Sequence, residues 1–178
     1  MRPRQRTRLG LALATVALLS ACATPPLAAD QAPPLEGRLA VRVAGQPERD
    51  LSASFELAGS AERGTLLLSG PLGAAAARAS WSPEGAQLRS GNGDERFTSL
   101  DNLAERALGE AFPIAALFDW LRGRPWPGNT WQARDDGTPG FVQLGWQVDL
   151  SRLAEGWIEA RRTQAPVVTV RVKLTPAS

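Results

Sequence analysis

Apolar and polar residues alternate along most of this chain. Leu39, Val41 and Val43 fall on one face of an extended segment and Arg38, Ala40 and Arg42 on the other, which predicts a half-buried strand starting near Gly37. Leu51, Ala53, Phe55 and Leu57 repeat the pattern against Ser52, Ser54 and Glu56, with Ala44-Gly45-Gln46-Pro47 as turn chemistry between the two runs. Thr65 to Ser69, Ala75 to Trp81, Ala86 to Ser90 and Arg96 to Ser99 read as further strands, separated by turns at Ser82-Pro83-Glu84-Gly85 and Gly91-Asn92-Gly93. The period then changes. Leu100, Leu103, Ala104, Ala107 and Leu108 recur at helical spacing, with Asp101 placed to cap the start and Gly109 the end. Ile114, Leu117, Phe118 and Leu121 predict a second helix between Pro113 and Gly123. Strands return around Trp131, from Phe141 to Val148, from Trp157 to Arg161 and from Val167 to Leu174. Strands, two helices and strands again, on short connections, argue for an antiparallel sheet curled around or covered by helices.

The N-terminus follows neither period. Arg2, Arg4, Arg6 and Arg8 precede an apolar run from Leu9 to Leu19. That run is shorter than the roughly 20 residues needed to cross a bilayer and fits the apolar region of a secretory signal. Leu19-Ser20-Ala21-Cys22 follows and resembles the bacterial lipobox, in which small residues enter the signal peptidase and the thiol takes the lipid. Cys22 is the only cysteine in the chain, so an internal disulfide is excluded. Ala23 replaces the aspartate that commonly retains such lipoproteins in the inner membrane, which points to the outer one. Residues 1–21 are thus expected to be a signal peptide and residues 22–35 a lipidated cysteine with a Pro- and Ala-rich tether. Residues 36–178 form one domain.

Cleavage changes the charge. The full chain has a net charge of +2, but removing residues 1–21 takes away four of 20 basic side chains and none of 18 acidic ones, leaving −2. The basicity belongs to the signal, and nucleic-acid binding loses its compositional support. No histidine is present, so a Ser-His-Asp triad, a Cys-His dyad and a His-ligated metal are absent. The acidic pairs Asp135-Asp136 and Asp94-Glu95 adjoin glycine-containing turns and read as solvated turn residues. No enzymatic activity and no cofactor are expected.

One segment departs from turn chemistry. Gly64 to Ala77 contains no charge, and Gly70-Pro71-Leu72-Gly73 at its centre must turn with a leucine at its tip. Either the tip folds back onto the core or Leu72 points into something apolar outside the protein. Ala53, Leu66, Leu68, Trp81, Trp120 and Trp146 are the apolar residues that either pack the core or line a cavity under the helices.

The lipobox, the Gly37-Arg38-Leu39-Ala40-Val41 strand, the Leu66 to Gly73 hairpin and Phe118-Asp119-Trp120-Leu121-Arg122-Gly123-Arg124-Pro125, in that order, resemble the LolB family of outer-membrane lipoprotein receptors. The resemblance implies an unclosed antiparallel β-barrel with a helical lid and an apolar cavity, mainly β. It implies acceptance of lipoproteins from a LolA-like periplasmic carrier, binding of their acyl chains in the cavity, and delivery into the outer membrane. Leu72 matches the leucine implicated in membrane insertion. The expected partners are therefore that carrier, lipoprotein cargo and outer-membrane lipid, with no nucleic acid and a monomeric chain, lipid-anchored on the periplasmic face. A structural lipoprotein of an outer-membrane assembly complex is the alternative, distinguished by an exposed interaction face in place of a cavity. The chain departs from the family pattern in its alanine-rich stretch from Ala74 to Ala77.

Overall fold

The computed structural model describes residues 33–70, 73–108 and 112–176; the expectations for the signal segment, Cys22, Leu72 and Gly109 lie outside the described residues. Among the described residues, eleven strands form one antiparallel sheet. They are β1 (Leu35–Val43), β2 (Leu51–Gly59), β3 (Gly64–Ser69), β4 (Ala75–Ser82), β5 (Gly85–Ser90), β6 (Gly93–Phe97), β7 (Trp131–Ala133), β8 (Gly140–Gln143), β9 (Trp146–Asp149), β10 (Trp157–Arg162) and β11 (Val168–Leu174). The spatial order is β6-β5-β4-β3-β2-β1-β11-β10-β9-β8-β7, so the first and last strands meet in the middle and the sheet does not close. The chain between its unpaired edges, β6 and β7, is the helical segment: α1 (Leu100–Leu108) and α2 (Ile114–Trp120).

Register fixes which side chains face inward. In β1, Leu39 pairs with Ala53 and Val172, and Val41 with Leu51 and Val170. One step along β2, Phe55 lies opposite Leu68 and Leu57 opposite Leu66. The alternation puts these apolar rows on the concave face and Arg38, Arg42, Ser52, Glu56 and Arg171 on the convex one. Gly37 is the exception in its row. A Cβ there would come within 2.2 Å of the Lys173 carbonyl oxygen, so only glycine fits.

Three elements differ from the sequence expectation. The run from Phe141 to Val148 is two strands joined by a turn at Leu144-Gly145, both with positive φ (54° and 77°). The strand expected at Arg96 to Ser99 starts earlier, at Gly93, because Gly91-Asn92 suffices to reverse the chain. Helix α1 is capped by Ser99, whose Oγ accepts the Asn102 N–H at 3.1 Å, and Asp101 sits inside the first turn, where its charge suits the helix dipole.

Helix α2 is buried on two sides. Ile114, Leu117 and Leu121 face one apolar space, while Phe118 meets Trp81 of β4 edge-on at 5.9 Å and Trp120 meets Phe141 and Trp146 at 6.2 and 6.3 Å. A seven-residue helix has little intrinsic stability. This one is held by what it packs against on both sides.

Candidate functional site: an apolar recess under the helical lid

The concave faces of β1, β2, β3 and β11 form the wall of a recess of about 440 Å³. Leu39, Val41, Phe55, Leu57, Leu66 and Leu68 line the sheet side, Val168, Val170 and Val172 continue it on β11, and Ile114, Leu117 and Leu121 close it from α2. Many of these leucines are only partly buried, although they point inward: Leu39, Val41, Leu66, Leu68 and Leu117 all retain solvent-accessible surface. The wall is apolar but not packed shut. Its polar lining comes from Glu48, Arg49 and Asp50, in the 3-10 turn between β1 and β2.

Asp50 and Arg49 are held in place. Asp50 Oδ1 accepts the Val43 N–H at 3.0 Å, its other oxygen lies 3.5 Å from Arg42, and Arg49 donates to Gln46 Oε1 at 2.9 Å. A second recess of about 340 Å³ lies under α1 and shares Leu51, Leu66, Leu68, Ala107 and Ile114 with the first. Its space results from small side chains: Ala77, Ala79, Ala104 and Ala107 stand where larger apolar residues would fill it. Glu95 and Arg106, 3.3 Å apart, join β6 to α1 at its border.

The structure separates the six candidate lining residues. Leu66, Leu68 and Trp146 line the larger recess, and Leu66 and Leu68 border both. Ala53, Trp81 and Trp120 are placed elsewhere. Ala53 is buried beside Leu39, and Trp81 packs on Phe118 with its ring N–H donated to the Ser60 carbonyl at 3.1 Å. Trp120 is 1% exposed and donates to Gln143 Oε1 at 2.8 Å. Helical spacing alone could not show that α2 has two buried faces, with Trp120 on the one turned away from the recess.

Gln143 has no sequence signature, being polar at an inward position. It is the one buried polar side chain in the core of the described residues. Its oxygen accepts from Trp120 Nε1 and from the Trp126 N–H (2.9 Å), and its amide nitrogen donates to the carbonyls of Trp126 (2.7 Å) and Asn129 (2.8 Å). All four hydrogen-bonding positions of the side chain are therefore used. This fastens the C-terminal end of α2 and the loop that follows it to β8, beside the recess.

The arrangement can hold something apolar, flexible and long. It offers shape and van der Waals contact inside, with ionisable groups confined to the borders. Among the described residues no group of three or more Cys, Asp or Glu could hold a metal ion.

Comparison with known proteins agrees with this geometry. The family model described as "Outer membrane lipoprotein LolB" matches residues 34–175, from the start of β1 to just past β11. The Outer-membrane lipoprotein LolB of Dechloromonas aromatica is 36% identical over 156 residues, covering 81% of this chain and 80% of that protein. The LolB of Bordetella petrii is 34% identical over 173 residues, covering 89% and 87%. That of Azoarcus sp. is 32% identical over 197 aligned residues, covering 98% and 91%. With an open antiparallel sheet, a helical lid between its edges and this similarity over most of its length, the chain belongs to the LolB family.

Proposed function

We propose that this protein is an outer-membrane lipoprotein that accepts lipoproteins from a LolA-like periplasmic carrier and places them in the outer membrane, holding their acyl chains under the lid. The observation that supports this reading is the partly open apolar recess, whose lining leucines are inward-facing yet accessible. Acyl chains exposed to water cost about 25 cal/mol per Å² of apolar surface, so transfer must pass from one apolar host to another. Direction follows from the difference in affinity between the hosts. Residues 1–21 serve as the signal peptide, Cys22 carries the acyl anchor, and residues 22–35 tether the domain to the periplasmic face of the membrane. More than one chain on Cys22 makes the anchoring stable, each buried CH₂ contributing about 0.8 kcal/mol. Leu72 enters the bilayer during release. The domain acts as a monomer.

Reconstitution tests the reading. Purified carrier loaded with a lipoprotein is mixed with this protein, with Cys22 intact or replaced, and with vesicles. Cargo is expected to leave the carrier for this protein and then for vesicles, and a photo-crosslinker at Leu68 is expected to capture its acyl chains. Cargo that stays on the carrier, or capture only at convex positions such as Ser54, overturns it.

A further inference from the structure

The two rims of the sheet differ in charge. Antiparallel pairing sends alternate connections to opposite ends. One rim holds the connections β1–β2, β3–β4 (70–74), β5–β6 (Gly91-Asn92), β8–β9 (Leu144-Gly145) and β10–β11 (163–167). Four of these five contain no ionisable residue; the fifth is the Glu48 to Asp50 turn at the recess. At the other rim every strand-to-strand turn is charged: Glu62 and Arg63, Glu84, Arg134 to Asp136, Arg152 and Glu155.

The less charged rim also carries the two large apolar side chains that are most exposed among the described residues, Trp131 at 54% and Leu144 at 38%. Leu144 occupies a left-handed conformation (φ 54°) in a two-residue hairpin turn, a position that asparagine takes with less strain. It lines a surface groove together with Trp126, Phe112 and one charged residue, Asp101. Trp131 starts the edge strand β7 opposite Gln143, one residue from that turn.

We infer that this rim is the membrane-facing end of the domain and that Leu144 and Trp131 form a second apolar contact with lipid, separate from the β3–β4 turn. The inference rests on the anchoring and delivery proposed above. A bilayer is the occupant that fits. Its surface admits isolated apolar tips and tryptophan rings and disfavours buried charge, whereas a protein partner needs a broad, complementary patch. The tether allows the orientation. β1 begins at the charged rim, and its nine residues span about 30 Å at ~3.3 Å each. The fourteen residues from Cys22 to Leu35 reach about 45 Å when extended, enough to run back alongside the sheet to the same membrane.

The test uses the full lipidated protein in vesicles of phosphatidylethanolamine and phosphatidylglycerol containing brominated lipid. With Cys22 acylated, Leu144→Cys supplies a single free thiol for an environment-sensitive fluorophore, and Glu84→Cys supplies one at the charged rim. Quenching is expected at 144 and not at 84. Leu144→Asn, which suits the turn and so preserves folding, is expected to accept cargo normally and deliver it about tenfold more slowly, as loss of one inserted leucine implies. The inference is overturned by a label at 144 that lipid does not quench, by equal quenching at both positions, by full-rate delivery by Leu144→Asn, or by shielding of 144 that appears only with loaded carrier, which marks a carrier-docking face. Failure of the unsubstituted protein to deliver cargo counts against the proposed function instead, and the quenching comparison still decides which rim faces lipid.

Discussion

Replacing Gln143 with leucine tests how the lid is held. The substitution nearly conserves volume but removes two acceptor and two donor interactions, at 2.7 to 2.9 Å, from a side chain that is 2% exposed. The Trp120 indole N–H is left in a site with no access to water, at about 1–3 kcal/mol. The Trp126 and Asn129 backbone groups are only partly buried and regain water, so they add about 0.5 kcal/mol each. The expected loss is about 2.5–4.5 kcal/mol, a large part of the roughly 5–15 kcal/mol that keeps a domain folded. Urea unfolding of the mature protein, followed by tryptophan fluorescence, measures it. Trp120→Phe removes the same indole hydrogen bond from the other side. In a double-mutant cycle the two substitutions should therefore cost less together than the sum of their separate effects, by 1 kcal/mol or more. Additive costs, or a Gln143→Leu penalty below about 1 kcal/mol, refute the view that Gln143 fastens α2 to β8.

Two further outcomes are expected. Leu72→Glu should leave folding and receipt of cargo intact while blocking delivery to vesicles, read in the same transfer assay; normal delivery removes the insertion role from that residue. The Asp136 carboxyl is held well below its ordinary value of 3.8 by hydrogen bonds from the Arg134 guanidinium at 3.1 and 2.6 Å and from the Thr138 N–H. A lowered value in the folded state means that the interaction stabilises above pH 3.8 and is lost as pH falls through the folded value. The difference in Tm between the natural protein and Asp136→Asn should therefore be largest near neutrality and shrink below pH 4, and a difference independent of pH contradicts this.

The strands were legible because the sheet has one wet and one apolar face, so period two survives in the residues themselves, as in Leu39, Val41 and Val43 against Arg38 and Arg42. The same rule failed at Phe141 to Val148. The turn inserts two residues, so Phe141, Gln143, Trp146 and Val148 all face inward while the sequence carries only a glycine to mark the reversal. The recess was legible in part. Leu66 and Leu68 follow from alternation, but Phe112, Leu117 and the alanines of α1 and β4 enter through tertiary packing. A polar Gln143 at an inward position carries no local signal at all. Only its four hydrogen bonds, to partners 14 to 23 residues away in the chain, explain it.

The molecule therefore divides its interior between two tasks. On the β8–β9 side Trp120, Trp146 and Phe141 pack against one another around a satisfied glutamine. On the β1–β3 side leucines and alanines leave the recesses open. Unfilled volume in a core costs about 24 cal/mol per Å³. At that rate 440 Å³ corresponds to a ceiling of about 10 kcal/mol, lowered here because the recess opens to water. Only a cost near that ceiling would match the whole stability of a domain, and a fraction of it is still a sizeable share. A chain shaped for stability alone would put larger side chains at Ala77, Ala79 and Ala107. The dense half offsets the hollow one and holds α2 by its far face, with Ile114, Leu117 and Leu121 turned toward the recess.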